Sequence, residues 1–153
     1  MKVFLVEDEE NKAENISSFL NEQFPSFLIE SFRSFQSGLK AIVTGDPGLV
    51  LLDMTMTNYD VGQREPGGRE RRYAGREILR QIRRRKIQVP VIVITQYERF
   101  EEEGREVDIE TLRKEMKGSY PDNFIDALYY NASTTHWMEE LSNHIHEITG
   151  GER

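Results

Sequence analysis

The chain of 153 residues contains no cysteine, which excludes a disulfide framework and a thiolate metal site. Hydrophobic residues make up 37% and charged residues 31%, which indicates one soluble globular domain and argues against a disordered chain. The formal net charge is -7. Because the apolar runs are too short for a signal peptide or a membrane span, we expect a cytoplasmic protein without a membrane partner.

Strand and helix patterns alternate along the chain. Ile16, Leu20 and Phe24 recur at steps of four, as on one face of a helix, whereas the nearly all-apolar run 49–54 is typical of a strand covered on both faces. This alternation predicts a parallel sheet with helices on both faces. In chain order we expect a strand at Lys2–Glu7, a helix over 11–24, a strand at Phe27–Phe32, a helix over 35–44, a strand over 49–54, a helix over 75–86, a strand at Val89–Thr95, a helix from the cap residue Asp108 to Gly118, a strand at Phe124–Tyr130 and a helix over 134–149.

Two long polar stretches exceed what this pattern needs. We expect a single domain over 1–149, with insertions near 56–74 and 97–122 and a short tail over 150–153, followed by no DNA-binding domain. Long loops of this kind are usually functional or disordered. The basic segment Arg64–Lys86 contains ten Lys or Arg against three Glu. It is either a solvated face or a docking surface for an acidic partner or nucleic acid, and net charge does not decide between them.

Polar side chains stand where the predicted strands end. Glu7 and Asp8 end the first strand, Asp53 the third, Thr95 the fourth and Tyr130 the fifth. In open parallel sheets the carboxyl ends of the strands form the site, so these side chains should converge. Like charges about 4 Å apart repel by roughly 1 to 4 kcal/mol, and a hard divalent cation relieves this repulsion. Oxygen ligands suit Mg²⁺, and a metal-held carboxylate can attack phosphorus to form an acyl phosphate.

The segments "FLVEDE", "LVLLDM" and "VIVITQ" resemble the receiver domain of two-component response regulators, over nearly the whole chain. The resemblance implies a flavodoxin-like five-stranded parallel sheet of order 2-1-3-4-5 with helices on both faces, and a protein that is not an enzyme. It implies that Asp53 is the phosphoacceptor and that Glu7, Asp8, Asp53 and the backbone carbonyl of Thr55 hold Mg²⁺. Thr95 would be the switch hydroxyl.

The implied partners follow from the same resemblance. A histidine kinase or phosphotransfer protein would donate the phosphoryl group to a stand-alone receiver, which would signal through contacts with an unidentified downstream protein. Nucleic acid is not an expected partner, and a homodimer is left open.

The chain departs from the family at the end of the last strand. Tyr130 and Asn131 stand where the family has Lys and then Pro, and the family's switch aromatic falls on Ala127, although Tyr129 or Tyr130 could substitute. Because a tyrosine hydroxyl carries no charge at neutral pH, we expect a phosphoryl oxygen to be bound less tightly. A basic side chain from the loop Arg64–Arg72 is the competing source of that charge.

Two other function classes compete with the phosphoaccepting receiver. The missing lysine favours a pseudo-receiver, a phosphorylation-independent interaction module of the same fold. The run from Asp53 to Thr57 also resembles the motif of aspartate-nucleophile phosphatases, but it lacks the second Asp that would act as the general acid. Asp53 could also be a loop carboxylate satisfied by backbone donors.

Overall fold

A computed structural model of the chain describes residues 1–57, 70–71, 74–102 and 104–150. Its elements in chain order are β1 (Lys2–Val6), α1 (Glu10–Gln23), β2 (Leu28–Phe32), α2 (Phe35–Gly45), β3 (Leu49–Leu52), β4 (Met56–Thr57), β5 (Glu70–Arg71), α3 (Ala74–Arg84), β6 (Val91–Thr95), β7 (Arg99–Glu102), β8 (Arg105–Asp108), α4 (Ile109–Ser119), β9 (Phe124–Tyr129) and α5 (His136–Ile148).

Five strands form one parallel sheet in the order β2-β1-β3-β6-β9. The predicted flavodoxin-like order 2-1-3-4-5 is therefore confirmed, because these are the five principal strands in chain order. The register pairs Leu5 with Leu51 and Leu52 with Val93, so β1, β3 and β6 end side by side. Their carboxyl ends meet at one edge of the sheet, where the polar residues were predicted to converge.

Helices cover both faces of the sheet, as the strand pattern predicted. Successive residues of β1 alternate between the two cores, with Phe4 and Val6 in one and Val3 and Leu5 in the other. Helices α2, α3 and α4 pack on the first core, and α1 and α5 on the second. Among the described residues, no helix has both the length and the apolar composition needed to cross a membrane.

The insertions differ in part from the predicted pattern. The second insertion, in which a helix was predicted, also contains an antiparallel hairpin, β7–β8, which the polar sequence did not reveal. Asp108 caps α4 as predicted, accepting a hydrogen bond from the backbone N–H of Thr111, but the helix continues through Gly118 to Ser119. In the first insertion β4 pairs with β5. Residues 58–69 and 72–73, which include eight residues of the segment Arg64–Lys86, lie outside the described residues, as do residues 151–153 of the tail.

Candidate functional site

The carboxylates predicted at the strand ends lie together. Glu7 follows β1, Asp53 follows β3, and carboxylate oxygens of Glu7, Asp8 and Asp53 lie within 4.8 Å of one another. Glu7 and Asp53 are buried, at 2% and 4% exposure, and Asp8 is partly exposed. Backbone pairing continues past the strand ends, because the N–H of Glu7 donates to the carbonyl of Phe32 at 2.9 Å. The backbone pairing of the sheet therefore fixes the positions from which these carboxylate side chains extend.

Backbone donors hold part of each buried carboxylate. Asp53 Oδ1 accepts a hydrogen bond from the N–H of Met54 at 2.7 Å, and Glu7 Oε2 accepts one from the N–H of Glu9 at 3.1 Å. Each carboxylate thus keeps a second oxygen that points to the centre of the cluster.

A lysine from helix α1 occupies that centre. Lys12 Nζ lies 2.7 Å from Glu7 Oε1 and 3.2 Å from Asp53 Oδ2, and it donates to the carbonyl of Ile94 at 2.7 Å. These three acceptors match the three hydrogens of an ammonium group. The side chain of Lys12 is 0% exposed. Lys12 was not among the predicted site residues.

The local sequence explains why Lys12 points inward. The side chain of Glu9 caps α1 by accepting hydrogen bonds from the N–H groups of Asn11 and Lys12. Ile16 and Leu20 follow Lys12 at steps of four on the buried face of α1. Extending the apolar period of this helix back by one step would have placed Lys12 toward the core. Its position in the first turn, where the helix dipole disfavours a positive charge, is a second sequence signal.

Burial and charge act against each other on this cluster. Burial raises the pKa of Glu7 to about 8, although Lys12 acts to lower it. Burial likewise raises the pKa of Asp53, and Lys12 and the Met54 N–H offset part of that rise. For Lys12, burial alone would lower the pKa, but the carboxylates of Asp53 and Glu7 raise it overall. The two buried carboxyls therefore hold a proton above their usual range, and the lysine stays charged.

The predicted switch and carbonyl residues flank this cluster. Thr95 ends β6, the strand next to β3, and is 0% exposed. Its hydroxyl oxygen accepts a hydrogen bond from the N–H of Tyr97 at 3.1 Å, and the hydroxyl hydrogen can be donated elsewhere. Thr55 lies two residues after Asp53, in the turn that leaves β3.

Tyr130 lies directly after β9 and extends its pairing, because its N–H donates to the carbonyl of Thr95 at 2.7 Å. Its hydroxyl accepts a hydrogen bond from Asn15 Nδ2 at 2.8 Å, so the hydroxyl is held against α1. The ring centroid lies 5.7 Å from Lys12 Nζ and 5.2 Å from the ring of Trp137. The ring of Tyr130 therefore lies beside the ammonium of Lys12, although Tyr130 itself carries no charge.

The other two residues at or near the family's switch-aromatic position lie in or near the core. Ala127, at the family's aromatic position, is fully buried in the core, and Tyr129 is half-buried. The basic loop Arg64–Arg72, the competing source of charge, falls mostly outside the described residues.

Comparison with known proteins identifies a family and similar proteins. The family described as response regulator receiver domain matches residues 3–112. The chain is 29% identical over 152 residues to the Detocs response regulatory protein DtcB of Enterobacter cloacae (strain JD6301), with 97% of this chain and 100% of that protein covered.

Solved structures share the fold. The receiver domain of the Francisella response regulator 1452 is 16% identical, with a TM-score of 0.65 and coverage of 97% of this chain and 96% of that chain. The response regulator protein TrrA of Thermotoga maritima, solved in complex with Mg²⁺ and BeF, is 19% identical, with a TM-score of 0.61 and coverage of 96% and 97%.

Proposed function

Because the chain belongs to the response regulator receiver domain family, we propose that it accepts a phosphoryl group on Asp53 as part of two-component signalling. Receiver domains are signalling modules that contact kinases or phosphotransfer proteins and downstream proteins. The observation that carries the proposal is the position of Asp53, at the carboxyl end of β3 beside Glu7 and Asp8. We propose a single receiver-like domain over residues 1–149, acting in the cytoplasm.

The chemistry requires a nucleophilic oxygen and neutralisation of charge. A carboxylate oxygen of Asp53 attacks the phosphorus of the donor, the bond from phosphorus to the donor nitrogen or oxygen breaks, and an acyl phosphate forms. The donor is a histidine kinase or phosphotransfer protein. Thr95, at the end of the adjacent strand, is the proposed switch hydroxyl, because it can donate a hydrogen bond to a phosphoryl oxygen.

The acidic cluster fits Mg²⁺, which receiver domains bind at an acidic pocket. We propose that Glu7, Asp8, Asp53 and the carbonyl of Thr55 hold it, since hard oxygen ligands are those that Mg²⁺ prefers. Ion binding would require all three carboxyls to be ionised, and together with the ammonium of Lys12 they would then carry two net negative charges, which match a divalent cation. The ion would neutralise charge on the transferred group.

A pseudo-receiver is the second candidate function. It is favoured by Lys12, because two of the three acidic side chains already have a buried positive partner without a metal ion. In that case the domain would bind its downstream protein without phosphorylation.

The deciding experiment is mass spectrometry of the intact protein after incubation with phosphoramidate and Mg²⁺. We expect one acid-stable, base-labile phosphoryl group on the wild type and on the control Asp122→Asn, which changes an exposed aspartate. We expect none on Asp53→Asn. Modification that persists in Asp53→Asn would refute the assignment of Asp53, and an unmodified wild type would favour the pseudo-receiver.

A further inference from the structure

Phosphorylation of Asp53 would create an excess of negative charge at a buried position. A phosphoryl group carries up to about two negative charges at neutral pH, beside Glu7 and Asp8. A divalent ion offsets part of this charge. The end of β9 offers only the neutral ring and hydroxyl of Tyr130, and that hydroxyl is held by Asn15.

A different part of the fold brings a cation to Asp53. Among the described residues, Lys12 is the cation that forms an ion pair with Asp53, and it does so from the first turn of α1. A buried ammonium is costly unless each of its hydrogens has a partner, and here two carboxylates and the carbonyl of Ile94 provide all three. The amino group is therefore held in place before any phosphoryl group arrives.

We propose that Lys12, entering the site from α1, is the residue that binds the phosphoryl group of Asp53 in place of a lysine at the end of β9. This inference rests on the proposed function, since it requires a phosphoryl group on Asp53. On phosphorylation the ammonium moves its hydrogen bond from the carboxylate oxygen of Asp53 to a phosphoryl oxygen. The ammonium keeps its other two hydrogen bonds, to Glu7 Oε1 and to the carbonyl of Ile94.

The position of Lys12 on α1 determines which element first responds to phosphorylation. Because Lys12 belongs to α1, attraction by the phosphoryl group acts on this helix rather than on β9. Asn15, one turn further along α1, binds the hydroxyl of Tyr130, whose ring contacts Trp137 on α5. A displacement of α1 is thereby coupled to Trp137, the single tryptophan of the chain, so its fluorescence should report occupation of the site.

The test measures the binding of two ligands, Mg²⁺ and beryllofluoride, to the same set of variants. Lys12→Met removes the charge at the site, and Lys40→Met removes a charge from an exposed position on α2 as the matched control. Mg²⁺ binding is measured by calorimetry without any phosphodonor. Binding of beryllofluoride, a phosphoryl mimic, is measured in saturating Mg²⁺ by Trp137 fluorescence.

We expect opposite changes in Lys12→Met. Beryllofluoride affinity should fall by about tenfold to a hundredfold, which corresponds to about 1.4 to 2.8 kcal/mol, because a charge-assisted hydrogen bond is lost. Mg²⁺ affinity should rise, because a positive charge no longer competes for Glu7 and Asp53. A purely structural lysine would not produce this split. Tyr130→Lys in the Lys12→Met background should restore beryllofluoride binding by returning the charge from β9.

Several outcomes would overturn the inference. If Lys12→Met binds beryllofluoride as the wild type does, Lys12 is not the phosphoryl-binding residue, although the proposed function stands. If both ligands weaken together, Lys12 only supports the fold. If wild-type protein binds no beryllofluoride in Mg²⁺, the proposed function and this inference fail together. Should Lys12→Met not fold, Lys12→Gln, which keeps a hydrogen-bond donor without the charge, replaces it in the same measurements.

Discussion

The proton held by the buried carboxyls should make the metal-free protein less stable as the pH rises. Burial raises the pKa of Glu7 from 4.5 to about 8, whereas in the unfolded chain Glu7 is solvated and keeps its usual value. Between these two values the folded state binds more protons than the unfolded state. The free energy of unfolding must therefore decrease with increasing pH across this window.

The magnitude follows from linkage. One pKa unit corresponds to about 1.36 kcal/mol, so one extra bound proton gives a decrease of about 2 to 3 kcal/mol between pH 5 and pH 7. The decrease should end near pH 8, where the folded carboxyl ionises too. Lys12, at 2.7 Å from Glu7 Oε1, opposes the effect, and burial outweighs it.

Urea unfolding in EDTA, repeated from pH 5 to pH 8.5, measures this dependence. Glu7→Gln is the matched variant, because its amide does not titrate, and the difference between the two proteins reports Glu7 together with its coupling to Asp53 and Lys12. We expect a clearly smaller decrease in Glu7→Gln than in the wild type. Saturating Mg²⁺ should also remove the decrease, since it binds the ionised form. A wild-type curve that runs parallel to that of Glu7→Gln would show that Lys12 keeps Glu7 ionised and would refute the reasoning.

Four further predictions concern packing and hydrogen bonds, all measured as the free energy of unfolding in urea. Gly38→Ala should destabilise the protein by about 1 to 3 kcal/mol, because the new Cβ would collide with the methyl groups of Val6 in β1. Gly118→Ala, whose Cβ would meet nothing within 4 Å, should stabilise α4 by up to about 1 kcal/mol. Equal changes in stability for Gly38→Ala and Gly118→Ala would contradict the packing argument. Asn123→Ala should cost about 2 kcal/mol, since its buried amide donates to two backbone carbonyls before β6, and an unchanged stability would show that water replaces it. Tyr130→Phe should cost about 1 kcal/mol by removing the hydrogen bond from Asn15, and a neutral result would mean that this bond adds nothing to stability.

The periodicity of hydrophobic residues in the sequence predicted most of the fold. The continuous apolar runs became the central strands, and helix faces such as Ile16 and Leu20 are buried as predicted. The predicted strand ends also indicated the position of the acidic cluster, because parallel strands bring their carboxyl ends to one edge of the sheet. The roles of those residues came from the resemblance to receiver domains and remain proposals.

The hairpin β7–β8 shows where periodicity fails. Its strands are mostly exposed and polar on both sides, and Val107 is the buried residue among the described side chains of the hairpin. The sequence of the hairpin is dominated by charged residues, so it shows no regular alternation of apolar and polar residues. Gly104, with a φ of 76°, allows the tight turn, but glycine alone does not distinguish a hairpin from a loop.

Lys12 shows which features of the site follow from local sequence and which depend on packing. Extended back by one step, the helical period puts residue 12 on the inward face of α1, so its burial follows from local sequence although it was not predicted. Two of its three partners do not follow from local sequence, because Asp53 and Ile94 lie 41 and 82 residues further along the chain. Whether a lysine amine reaches those acceptors depends on how α1 packs across the ends of β3 and β6. Sequence patterns report which face of an element is buried, whereas a distance between side chains on separate elements exists only once those elements are packed together.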